Sequence, residues 1–199
     1  MLILFSLTLF LSAALLFVVE PMFAKMALPL LGGSPAVWNT CMVFYQGSLL
    51  AGYLYAHLAP KWLGVRRQAA FHLGLLVLIL FTLPIGIFQG WTPPPTANPV
   101  TWLLLLLLLS VGLPFFVVSS TAPLLQKWFA QTGHASAHDP YFLYGASNLG
   151  SLLALVAYPV LIEHYLRLHH QSWGWAGGYA VLLALVALCG VLLWRAGAP

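Results

Sequence analysis

The sequence predicts an all-α integral membrane domain of six transmembrane helices. Three observations carry that prediction. Of its 199 residues, 62% are hydrophobic and 5% charged, against about 25% charged in ordinary soluble domains. Mean hydropathy is +0.96. Three acids and seven Lys/Arg do not cover the surface of a water-soluble globule. Apolar runs of the ~20 residues that a bilayer crossing needs recur six times. The eight tryptophans, Trp38, Trp62, Trp91, Trp102, Trp128, Trp173, Trp175 and Trp194, stand near the ends of those runs, as an interfacial aromatic belt requires.

The first helix covers about 1–20. It has no Lys or Arg before Lys25 and is long for a signal core, so it reads as a retained span. Gly32-Gly33-Ser34-Pro35 ends the segment, and helix 2 runs over about 37–58. Lys61 to Gln68 forms the next loop, followed by helix 3 over about 70–90. Pro93-Pro94-Pro95 cannot continue a helix. Helix 4 spans about 100–124 and includes Trp102 to Leu109, the most lipid-like stretch. Gln131 to Pro140 separates it from helix 5, about 141–162, and Glu163 to Ser172 leads into helix 6, about 173–195.

Charge sets the predicted orientation. With six helices, Lys61, Arg66, Arg67, Lys127 and Arg195 share one side, with Lys25 and Arg167 on the other. The positive-inside rule then makes both termini cytoplasmic; the expected location is a bacterial inner membrane. The formal charge of +4 and pI near 9.3 come from short loops rather than a basic cluster, which argues against nucleic-acid binding. Cys41 and Cys189 fall toward opposite membrane faces, and so read as small buried residues rather than a disulfide.

The single domain, 1–199, divides into two triplets, about 1–95 and about 96–199. Gly47-Ser48-Leu49-Leu50-Ala51 in helix 2 matches Gly150-Ser151-Leu152-Leu153-Ala154 in helix 5. The amides Gln46 and Asn148 precede the two. Helix 1 ends with Pro21 and then Pro29-Leu30-Leu31; helix 4 has Pro114 and then Pro123-Leu124-Leu125. An odd number of helices per copy inverts the second, a 3+3 inverted repeat of the transporter type. Gly47, Ser48, Gly52, Gly145, Gly150 and Ser151 are the expected close-packing positions.

Polar residues at membrane depth are costly and need a role. A helix broken at Pro21 brings Glu20 to Lys25, as a gate or as a structural ion pair. Gln46, Asn148 and the Ser119-Ser120-Thr121 run either line a cavity or bond helices together. His134, His138 and Asp139 have spacing that would suit a metal, without a cysteine/histidine frame or a His-Glu-x-x-His helix; the reading assigns no metal and no cofactor. His57 and His72, flanking loop 2–3, have a position from which they could ligate haem axially, and nothing around them demands it. No phosphate loop, nucleophile elbow or dinucleotide fingerprint appears, so the chain is expected not to be an enzyme.

Longer motifs carry a resemblance. Glu20-Pro21, Lys25-Met26, Leu28-Pro29 and the run Leu31 to Thr40 come first; then Gly52-Tyr53, Tyr55-Ala56-His57 and Gly112-Leu113-Pro114-Phe115-Phe116. Thr121 to Gln126 with Trp128, Asp139-Pro140-Tyr141, Ser147-Asn148 and Tyr158-Pro159 complete the set. Together they resemble the N-terminal membrane part of fused major-facilitator/spermidine-synthase proteins. The resemblance implies a half-major-facilitator-like bundle. It also implies a separate aminopropyltransferase-like domain, whose glycine-rich cofactor loop and polyamine-binding acids are not in this sequence. The expected role is therefore an accessory membrane module, partnered by the lipid bilayer and by another membrane protein or a second copy. The alternative is a half-transporter for a small amine or other small solute.

Overall fold

The computed structural model describes residues 1–88, 90–138 and 140–196, apart from the side chains of Ala135 and His138. The described residues are all-helical and contain no strand. The long helices are α1 (Leu2–Leu31), α2 (Pro35–Leu63), α3 (Val65–Thr82), α4 (Pro99–Ala130), α5 (Tyr141–Tyr165) and α6 (Leu168–Arg195). Five of them, all but α2, are both long and apolar enough to cross a membrane. α2 is long enough at 29 residues, but its apolar run is interrupted by Asn39, Thr40, Gln46 and Ser48.

Local chemistry accounts for the boundaries. Gly32 and Gly64 take φ of +77° and +74° at the ends of α1 and α2, a region that glycine enters without steric cost. Pro35 opens α2 and Pro99 opens α4, where the Asn98 side chain accepts from the backbone N–H groups of Val100 (2.9 Å) and Thr101 (3.3 Å). Both prolines sit where no intrahelical donor is needed.

Most helices outrun their expected bounds: α1 and α2 run on until Gly32 and Gly64 stop them, rather than ending where hydropathy drops. Arg66 and Arg67 belong to the first turn of α3 and Lys127 to the last turns of α4. Helix 3 stops at Thr82, well before residue 90, ahead of Pro84 and Gly86.

The expected breaks at Pro21 and over Ser119–Thr121 do not occur: α1 runs through Pro21 and Pro29, and α4 through Pro123. In hydrocarbon a full break strands backbone groups, whereas an isolated Pro is accommodated by local adjustment. That adjustment is visible where α4 and α5 widen into π-turns at Leu108–Gly112, just before Pro114, and at Tyr158–Ile162, around Pro159.

α1 and α4 form the centre. They run antiparallel: Phe5 stacks edge-on against Phe129 (5.2 Å) and Ser12 donates to the Val118 carbonyl (3.2 Å). α5 packs along α1, and α2 along α4. Both of these pairs are parallel, from Phe10–Gly150 to Lys25–Glu163 in one and from Tyr45–Phe115 to Ala56–Lys127 in the other. α6 covers α1, with the Trp175 indole donating to the Leu15 carbonyl (2.9 Å). α3 packs against α6, where the Tyr179 hydroxyl donates to the Leu76 carbonyl (2.8 Å). Cys41 and Cys189 are free and buried.

Two tryptophans are not belt residues. Trp128 is fully buried and Trp175 nearly so, each with its indole N–H bonded across a helix seam. Lys61, Arg66, Arg67, Lys127 and Arg195 gather at the end of the bundle where α1 begins; Lys25, Arg167, Glu20 and Glu163 lie toward the other.

Candidate functional site

The densest polar chemistry lies between α1, α2, α5 and α6, toward the end where α1 finishes. α1 is about 45 Å long at 1.5 Å per residue, against a hydrocarbon core of about 30 Å. Glu20 is about 5 Å along the axis from the helix midpoint and Lys25 about 13 Å. Glu20 is half-buried, and its carboxylate makes no hydrogen bond or ion pair among the described residues. Its backbone carbonyl accepts from the Tyr45 hydroxyl (3.2 Å), and Tyr45 lies within electrostatic reach of Glu20, Cys41 and Tyr158.

Lys25 does not pair with Glu20. Its ammonium forms an ion pair with Glu163 on α5 and sits 5.9 Å from the centre of the Tyr158 ring. Residues five apart on a continuous helix point about 140° away from each other, so the unbroken α1 turns the two side chains to different neighbours. The Tyr158 hydroxyl donates to the Gln171 side-chain oxygen (3.0 Å), and the Gln171 amide donates to the Leu166 carbonyl (2.8 Å). A cation, its counter-ion, a phenol and an amide thus clamp α1 to the α5–α6 hairpin and leave the Glu20 carboxylate without a partner.

A second polar cluster fills the α2–α3–α4 seam toward the opposite end. His72 is fully buried, and its Nε2 is 3.1 Å from the Thr121 hydroxyl. Gln68, one turn earlier, accepts from the Trp128 indole (3.0 Å), and its amide donates to the Tyr55 hydroxyl (3.4 Å). Tyr55 stacks on His72. Among the described residues, the His72 Nδ1 has no hydrogen-bond partner. Sequence reasoning singled out Thr121 and His72 but missed Gln68 and the role of Trp128. The available signal was Gln68 and His72 at i, i+4 on an otherwise apolar helix.

The other candidates scatter. Ser119 and Ser120 are buried, with hydroxyls bonded to the Phe116 and Val117 carbonyls of their own helix (2.9 and 2.8 Å). Gly52 meets the Ser119 side chain and the Phe116 carbonyl, and Gly150 meets the backbone of Phe10. Gly47 and Gly145 face open space, so the first glycine of one pentapeptide packs and its counterpart does not. Ser48 and Ser151 are half-buried, and Ser151 donates to the Asn148 carbonyl (3.0 Å). Gln46 and Asn148 are exposed on α2 and α5, without a side-chain hydrogen bond among the described residues.

His134 accepts from the Ser136 backbone N–H (3.1 Å); the His138 side chain and Asp139 lie outside the described residues. Among the described residues, no three His, Cys, Asp or Glu are grouped to hold a metal ion. No family model, curated protein or solved structure matches the chain.

Proposed function

We propose that this chain is a non-catalytic six-helix membrane module, an accessory subunit that works by docking its α2 and α5 faces against another membrane protein or a second copy. One observation carries the reading. Gln46 is about 5 Å and Asn148 about 8 Å from the midpoints of their helices, and both amides are exposed and, among the described residues, unpaired. An amide left in hydrocarbon without a hydrogen bond costs about 2–7 kcal/mol, so these faces call for a polar partner rather than lipid. By contrast, every exposed residue from 70 to 81 of α3 and from 173 to 194 of α6 is apolar or glycine, as a lipid-facing surface requires.

The packing supports a 3+3 inverted arrangement: α5 and α6 on α1 correspond to α2 and α3 on α4. The five Lys/Arg at the end where α1 begins support cytoplasmic termini. The resemblance to the membrane part of fused major-facilitator/spermidine-synthase proteins agrees with both. Purification in mild detergent with light-scattering mass tests the docking. The native chain is expected to carry stoichiometric protein partners or to self-associate, and the Gln46→Leu/Asn148→Leu double variant to run as a folded monomer. A native chain that is already monomeric and partner-free would overturn the proposal.

The lone Glu20 carboxylate favours a second reading, a half-transporter for a small cation. Reconstituted vesicles would then take up a small amine, and Glu20→Gln would abolish uptake. No flux in vesicles holding the chain and its partner would remove this reading.

A further inference from the structure

The seam between α2 and α3 opens outward as an apolar groove of about 440 Å³, lined by Ala51, Leu54, Tyr55, Leu58, Trp62 and Phe71. Along α2 it extends from Ala51 to Trp62, about 17 Å, close to the depth of one leaflet of a 30 Å hydrocarbon core. It ends at the basic end of the bundle. Trp62 is 78% exposed there, an aromatic at headgroup level.

Two cations stand near that mouth. Arg67 lies one helical turn before Phe71 and therefore on the same face of α3; it is exposed and makes no hydrogen bond or ion pair among the described residues. Lys61 precedes Trp62 and, among the described residues, makes one hydrogen bond, with the His57 ring nitrogen (2.7 Å). Arg66, five residues before Phe71, points away from the groove, and one of its N–H groups donates to the Ala196 carbonyl after α6 (2.8 Å). The two described acids, Glu20 and Glu163, are at the opposite end.

We infer that this groove is a binding site for an anionic phospholipid, with an acyl chain along Leu54, Leu58 and Phe71 and the phosphate held by Arg67 and Lys61. An apolar channel of leaflet depth takes the chain. The unneutralised cations at its mouth select a phosphate that carries net negative charge over a zwitterionic headgroup. The assignment does not depend on the docking role of α2 and α5.

Native mass spectrometry of the purified full chain, given equal phosphatidylglycerol and phosphatidylcholine, tests it. Phosphatidylglycerol should be retained preferentially. The preference should fall about fivefold for each of Arg67→Gln and Lys61→Gln, as expected for one surface cation acting on anionic lipid. Leu54→Trp, which fills the groove, should lower retention of both lipids. Glycerol 3-phosphate, a headgroup without chains, should not displace the bound lipid at matched concentration. Equal retention of the two lipids would overturn the inference. So would a preference unchanged in the Arg67→Gln/Lys61→Gln variant, whose two exposed positions leave the helix seams intact, or displacement by the headgroup alone.

Discussion

Gly47 and Gly150 open the same pentapeptide, yet substituting them should have opposite consequences. A Cβ at Gly150 would strike the Phe10 backbone, its carbonyl oxygen first, whereas a Cβ at Gly47 meets nothing within 4 Å. Both Gly→Ala changes gain the same intrinsic helix propensity, about 1 kcal/mol, so that contribution cancels in the comparison. What remains is the clash. Overpacking a tight contact costs about 1–3 kcal/mol. The obstacle here is main chain on α1 rather than the tip of a flexible side chain, so relief requires α5 to move as a whole. Gly47→Ala should therefore be neutral or slightly stabilising, and Gly150→Ala should be less stable than it by about 1–3 kcal/mol, a 5- to 150-fold shift in the unfolding equilibrium. Unfolding of the two purified variants in mixed detergent–denaturant titrations measures the difference. Equal midpoints would refute the placement of Gly150 against Phe10, and with it the parallel packing of α5 on α1.

Three further outcomes follow from named contacts. Lys25→Met should destabilise the chain by about 1 kcal/mol, a modest value because both ion-pair members are partly solvated; Glu163→Gln added to it should recover part, and zero coupling in the double-mutant cycle would contradict the pairing. Gln68→Leu leaves the buried Trp128 indole N–H without an acceptor and should cost about 1–3 kcal/mol, some of it regained by adding Trp128→Phe; an unchanged denaturation midpoint would show that the seam does not depend on this bond. Single cysteines at Gly64 and Pro94, read by an impermeant thiol reagent in intact cells, should label from opposite sides while the buried Cys41 and Cys189 stay silent; labelling from one side would break the alternation of α2, α3 and α4.

What the sequence makes legible are features whose cause is local. Long apolar runs, glycine at the ends of α1 and α2, and the Asn98-Pro99 start of α4 are each decided within a few residues. Partners distant in sequence are another matter. Trp128 at the end of an apolar run looks the same whether it faces headgroups or Gln68, sixty positions earlier. Lys25 has Glu20 as its nearest acid in sequence, and only the continuity of α1 through Pro21 sends it to Glu163. That continuity inverts the usual effect of proline, because in a bilayer the cost of exposing backbone groups exceeds the cost of one missing donor. Of the candidate site, Glu20 and Lys25 were visible by their charge. Tyr158 and Gln171 were not, since a tyrosine and a glutamine near helix ends carry no signal until the α5–α6 hairpin brings them together.

The uneven distribution of polar surface follows from how the pairs are built. α1 and the second half of α4 are enclosed by their neighbours, and the hydroxyls there, Ser12, Ser119, Ser120 and Thr121, find carbonyls, whereas the buried Ser110 hydroxyl, at the π-turn of α4, has no partner among the described residues. α3 and α6 seal one side with apolar faces. α2 and α5 are each held along one edge by a close contact, Gly52 on α4 and Gly150 on α1, which leaves their remaining faces outward. A helix meant only for lipid gains nothing by keeping an amide on such a face, since leucine there removes the desolvation cost without disturbing the glycine contact. On the docking reading, Gln46 and Asn148 are satisfied across an interface that α2 and α5 form together. Replacing both with leucine should then raise the stability of the isolated chain while weakening its assembly, and loss of both properties at once would place the two amides inside the fold instead.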